Sequence, residues 1–135
     1  MIDPARSFFV IAEEELSAAR RLVSGHPRQA AFFIQQTAEK LLKALLTAEG
    51  VSFSYDHNLD RLTGLLPESN ELKVHFVPLG QYSAWATSHR YPSVRGDPPT
   101  PIPEISDLIH ALDSLDSLKS EVEAWLSERP PHIPR

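Results

Sequence analysis

Ala30 to Gly50 reads A-A-F-F-I-Q-Q-T-A-E-K-L-L-K-A-L-L-T-A-E-G. Ala30, Phe33, Ile34, Thr37, Ala38, Leu41, Leu45 and Ala48 recur at helical spacing and fall on one side of a helix. A second row carries Phe32, Gln35, Gln36, Glu39, Lys40 and Lys43. Small alanines let a neighbouring helix approach closely. Gly50 stands where a left-handed C-cap is expected. At about 1.5 Å per residue the helix is about 30 Å long, the length of a small domain. The period thus predicts a long amphipathic helix inside a helical bundle.

Working outward, Asp3 and Pro4 form a start signal, an N-cap oxygen followed by proline at the first helical position. Phe8, Phe9, Ala12, Leu16, Ala19 and Val23 continue as a stripe, with acids early and Arg20 and Arg21 late, as the helix dipole favours. The first rod spans Pro4–Ser24 and the second Pro27–Glu49, joined by a turn so short that they must pair antiparallel. Asp56 is placed to cap a third helix through His57, Leu59, Leu62, Leu65 and Leu66. Leu79, Tyr82, Trp85 and Ala86 belong to a fourth that reaches Ser88 or His89. Five prolines between Pro92 and Pro103 forbid regular structure in residues 92–103. Thr100 and Pro101 could open the last helix, whose apolar face carries Ile105, Leu108, Ile109, Leu112, Leu115, Leu118, Val122 and Leu126. These elements predict an all-α, up-and-down bundle of four to five helices in one domain, residues 1–128, with a flexible C-terminal tail over 129–135.

Composition narrows the function. The chain has 135 residues, 41% of them hydrophobic, and a net charge of −5. A negative surface disfavours general electrostatic capture of nucleic acid. No apolar run approaches the roughly 18 residues of a membrane span, and the N-terminus lacks the features of a signal peptide. With no cysteine, disulfides and thiolate chemistry are excluded, and a cytoplasmic setting is expected. Six histidines show no i,i+3 or i,i+4 pair, so no metal site is expected. Glycine-rich phosphate loops are absent, and no cofactor is expected.

Four pieces occur in a recognisable order: the Q-Q-x-A-E-K-x-L-K-A-L-L run, D-H-N-L-D-R-L from Asp56, S-H-R-Y-P from Ser88, and the long final helix. Together they resemble the HEPN domain family, named for higher eukaryotes and prokaryotes nucleotide-binding. The resemblance spans nearly the whole chain. It implies a bundle like that of nucleotidyltransferase substrate-binding proteins, commonly a homodimer. It also implies a minimal nucleotidyltransferase as partner, in a toxin–antitoxin-like pair, with a nucleotide or RNA as ligand. Many members are metal-independent endoribonucleases whose signature is Arg, four to six residues, then His. This chain departs from it. After Arg90 the corresponding positions hold Arg95, Gly96 and Asp97. Arg20 and Arg21 stand at permitted spacings before His26, but in the first turn, where the signature does not belong.

Candidate ligand contacts are therefore Arg90, a bidentate phosphate clamp, and Tyr91, a base-stacking ring. Both have structural alternatives, a helix C-cap and packing under the loop. Gln36, Lys40 and Lys43, with Gln35 and Glu39 beside them, are further candidates to contact a nucleotide or a partner subunit. Their alternative is a face with Gln35 or Gln36 partly buried, Lys40 and Lys43 exposed, and Glu39–Lys43 a solvated pair. His57 and His89 are weak catalytic candidates beside Arg90, and these three could share a groove. Tyr82 and Trp85 fit core or dimer-interface roles. Two readings remain: a binding or interaction module, and a ribonuclease with a displaced Arg/His site. A bundle that only dimerises is a third.

Overall fold

The computed structural model describes residues 3–86 and 103–129. Among them are five α-helices, one 3-10 helix and no strand. Helix α1 (Pro4–Leu22) starts where Asp3 accepts a 3.0 Å hydrogen bond from the Ala5 N–H, with Pro4 as its first residue. It stops two residues short of the expected Ser24. Helix α2 (Pro27–Ala48) ends in a Schellman motif: Val51 N–H donates to the Leu46 carbonyl, Gly50 N–H to the Thr47 carbonyl, and Gly50 takes φ 73°. Only glycine adopts that φ without strain.

The two rods pair through small residues. Ala5, Phe9, Ala12, Leu16 and Ala19 of α1 are buried, as are Ala30, Ala31, Ile34 and Ala38 of α2. Their contact is the most extensive between any two described elements. The last helix, α5 (Ile105–Ser127), also packs on both. Arg20 bridges Asp113 and Asp116, Lys119 meets Glu13 at 3.8 Å, and Arg6 meets Ser127. Rising numbers on α1 meet falling numbers on α5, so these two helices run antiparallel. Ile105 and Ile109 depart from expectation: they are 44% and 43% exposed, and Ala111 and Trp125 take the inner positions instead. Thr100 and Pro101 lie outside the described residues, as do 92–102 of the proline-rich stretch and the tail beyond Arg129.

The middle of the chain folds differently from its sequence reading. Helix α3 (Leu59–Leu65) is capped by Asn58, whose Oδ1 accepts from the Arg61 N–H at 2.9 Å. Asp56 is two residues too early to cap it, and accepts from the Asn58 N–H at 3.0 Å instead. The expected fourth α-helix is a single turn, α4 (Lys73–Phe76), followed by a 3-10 helix, Val77–Ala86. Phe76, Leu79, Tyr82 and Trp85 recur every third residue. A helix with 3.0 residues per turn stacks them on one straight face, whereas an α-helix would spread them. Leu79 and Tyr82 are buried and Trp85 half-buried.

Helix α3, the 3-10 helix, α1 and α5 all pack on α2. Of its 22 residues, 13 are buried, far more than one stripe requires. Gln35, Glu39 and Lys43 of its polar second row are therefore inside the molecule, and Gln36 and Lys40 are half-buried. No described helix is long and apolar enough to cross a membrane.

Candidate functional site

Gln35, Glu39 and Lys43 are spaced four apart on α2 and so lie in one line. All three are buried, and Glu39 is 1% exposed. Lys43 Nζ donates to Glu39 Oε2 at 3.0 Å, and Gln35 Nε2 to Glu39 Oε1 at 3.3 Å. The Lys43 ammonium also stands 5.5 Å from the centre of the Phe53 ring, which packs edge-on against Phe8. Lys43 is thus not exposed as expected, because the chain between Val51 and Asn58 folds over it. Nor is Glu39–Lys43 a solvated pair.

His57 completes this cluster. Its Nδ1 lies 3.1 Å from both Glu39 carboxylate oxygens. Gln35 Nε2 also donates to the His57 backbone carbonyl at 3.1 Å. One helix therefore holds both the main chain and the ring of this residue. The ring is nevertheless 66% exposed, and among the described residues its Nε2 makes no hydrogen bond. A carboxylate at Nδ1 places the ring proton there in the neutral form and leaves the Nε2 lone pair toward solvent. In the charged form both nitrogens donate.

The network continues across α2. Gln36 Nε2 donates to Gln35 Oε1 at 2.8 Å. Lys40 Nζ donates to Gln36 Oε1 and to Glu15 Oε1 of α1, each at 3.0 Å. Lys40 is only 18% exposed, again less than expected. Burial pushes the Glu39 carboxyl up, but hydrogen bonds from Lys43, His57 and Gln35 outweigh it and hold it below the usual range. For Glu15 burial prevails over Lys40, and the carboxyl is raised. Beside the site, Arg61 grips Asp56 through two bonds of 2.5 and 2.8 Å. That guanidinium, with the Asn58 N–H, holds Asp56 well below the ordinary carboxylate range.

The arrangement is a charged side-chain cluster with one outlet. Its buried members satisfy one another, and His57 alone meets solvent broadly, presenting one nitrogen for hydrogen bonding or proton transfer. Sequence reading grouped Gln35, Gln36, Glu39, Lys40 and Lys43 on one row of α2 and proposed His57 separately, but it did not join His57 to that row, and it missed Glu15 as a member. The signal was the i, i+4, i+8 line of Gln35, Glu39 and Lys43. His89, Arg90 and Tyr91 lie outside the described residues. Tyr82 belongs to the core, its ring stacked 4.6 Å from that of Trp85. Burial raises its phenol. Among the described residues no three acidic or histidine side chains are grouped to hold a metal ion.

Comparison with known proteins agrees with this architecture. The crystal structure of ST0689, an archaeal HEPN homologue, superposes with a TM-score of 0.67 at 23% identity, over 92% of this chain and 98% of that one. At that identity the likeness establishes the fold alone. No curated protein matches the chain. The model of the HEPN domain matches residues 5–125, which takes in every described helix except the first residue of α1 and the last two of α5. This chain belongs to the HEPN domain family.

Proposed function

We propose that this chain is a nucleotide-binding module that works with a minimal nucleotidyltransferase in a toxin–antitoxin-like pair. The observation that carries the reading is the grip of Glu39 and Gln35 on His57. A ring held at Nδ1 and at its own carbonyl is preorganised, so little freedom is lost when the protonated ring donates from Nε2 to a ligand phosphate. Arg90 and Tyr91 supply the phosphate clamp and the stacking ring. Arg90 is seven residues beyond Ser83, whose hydroxyl accepts from the Leu59 N–H two residues after His57. Three of these residues, to Ala86, belong to the 3-10 helix at about 2 Å each and four more reach at most about 14 Å, about 20 Å in all, enough to bring Arg90 to His57. Gln36 and Lys40 act behind this edge, and Lys43 acts through Glu39. The pairing with a nucleotidyltransferase, homodimerisation and a cytoplasmic setting follow the family resemblance and the absence of cysteine.

Calorimetric titration with ATP and with a short RNA tests the reading. Wild type binds one of them, and His57→Ala and Arg90→Ala each weaken binding about tenfold with the melting temperature nearly unchanged. Saturable binding unaffected by both variants would remove His57 and Arg90 from the site. No binding to either ligand would remove the nucleotide.

The same carboxylate–histidine contact favours a second reading, a metal-independent endoribonuclease. A histidine oriented by a buried carboxylate is poised to take a proton from a 2′-hydroxyl. RNA cleavage in the presence of chelator, lost in His57→Ala, would select the enzyme over the module.

A further inference from the structure

A second concave site lies on the far side of α5, between that helix and the α4/3-10 segment, with a volume of about 510 Å³. That size is typical of ligand clefts. Its floor is apolar and buried, made by Leu79, Tyr82 and Leu118. One wall is a line on α5 running from His110 through Ser114 and Ser117 to Glu121. Eleven residues at about 1.5 Å each make the groove about 16 Å long. Val74, 66% exposed, forms the apolar rim opposite.

Charge decides what fits. Among the described residues Glu121 is the only acid lining the groove, and no lysine or arginine lines it. Continuing the same line along α5 brings Asp107 at one end and Glu128 at the other. The nearest lysines are turned away. Lys119 faces Glu13 on α1, and Lys73 is held by Glu68 and by the Leu66 carbonyl. His75 approaches Glu121 at only 3.9 Å, a loose contact that leaves the carboxylate open to a stronger partner. Among the described residues, the side chains of His110, Ser114 and Ser117 make no hydrogen bond, so their polar groups are available to a ligand backbone.

We propose that this groove is a docking site for a short segment of a partner protein, apolar with a basic residue at one end. At about 3.3 Å per residue, roughly five extended residues fill its length. Apolar side chains sit on Leu79, Tyr82 and Leu118, the hydroxyls and His110 meet peptide groups, and Glu121 receives the cation. Among the described residues an anionic ligand meets no lysine or arginine in the groove, only the imidazoles of His75 and His110. The site shares no residue with the His57 cluster, so it stands whether or not that cluster binds a nucleotide.

The probe is a terminally blocked heptapeptide of alanine and leucine with arginine at one end, titrated into the full-length chain and followed by amide NMR. Shifts are expected in residues 74–82 and 110–121. Glu121→Lys, an exposed change, should weaken binding at least tenfold, and His57→Ala should leave it unchanged. The same peptide with glutamate in place of arginine should bind at least tenfold more weakly to wild type. Shifts centred elsewhere, equal binding of both peptides, or no shift at millimolar peptide would each overturn the proposal. So would self-association of the chain with shifts in the same residues, which would make a second copy the occupant.

Discussion

His57 Nδ1 lies 3.1 Å from each oxygen of the Glu39 carboxylate, a side chain 1% exposed beneath a ring that is 66% exposed. The contact couples a solvent-facing imidazole to the interior of the bundle. Lys43 neutralises the carboxylate from the other side at 3.0 Å. The three groups together carry no net charge when the imidazole is neutral and one positive charge when it is protonated.

Truncating Glu39 should be severe. Glu39→Ala leaves the Lys43 ammonium buried with no carboxylate, and breaking such a pair costs about 3–5 kcal/mol. Glu39→Leu combined with Lys43→Met removes both charges and should recover most of that loss. Urea denaturation of the single and double variants measures the difference. Equal losses in both would show that the pair is not the source of the effect.

Buried Glu39 and half-buried Glu15 should respond to acid in opposite senses. Glu39 titrates below its unfolded value of about 4.3 when folded, so its stabilisation is full above that pH and disappears as pH falls through the folded value. Glu15 titrates above its unfolded value, so its charged form weighs against folding at neutral pH, and that penalty lifts as pH falls toward 4.3. The stability advantage of wild type over Glu39→Gln should therefore shrink on acidification. Relative to Glu15→Gln, wild type should gain. Denaturation curves collected from about pH 7 down to pH 3 test both slopes. Parallel slopes would contradict the assignment.

Gly80 and Asp60 should be energetically coupled. A Cβ at Gly80 would overlap the Asp60 carboxylate, which α3 holds against the 3-10 helix. Asp60 is exposed and able to turn away. In an Asp60→Ala background, Gly80→Ala should stabilise by about 0.4–1 kcal/mol through reduced unfolded-state entropy. In wild type the same change should be less favourable. A double-mutant cycle by thermal melting reads the coupling, and a value of zero would separate the two residues.

The sequence by itself determined the two long rods. Stripes at the α-helical period, the Asp3–Pro4 start and the Gly50 stop are local signals, and local hydrogen bonds carry them out. It also contained, unread, the three-residue period of Phe76, Leu79, Tyr82 and Trp85 that makes a 3-10 helix. Only the tertiary structure decided the environment of Gln35, Glu39 and Lys43. On α2 alone these look like a solvated polar row, because nothing in the helix says what will cover it. Phe53 and His57, in the stretch 51–58, fold back over that row, and low exposure turns an ordinary i,i+4 pair into a buried network with His57 as its outlet. Periodicity fixes which residues share a face. Whether that face meets water depends on contacts between residues far apart in the chain.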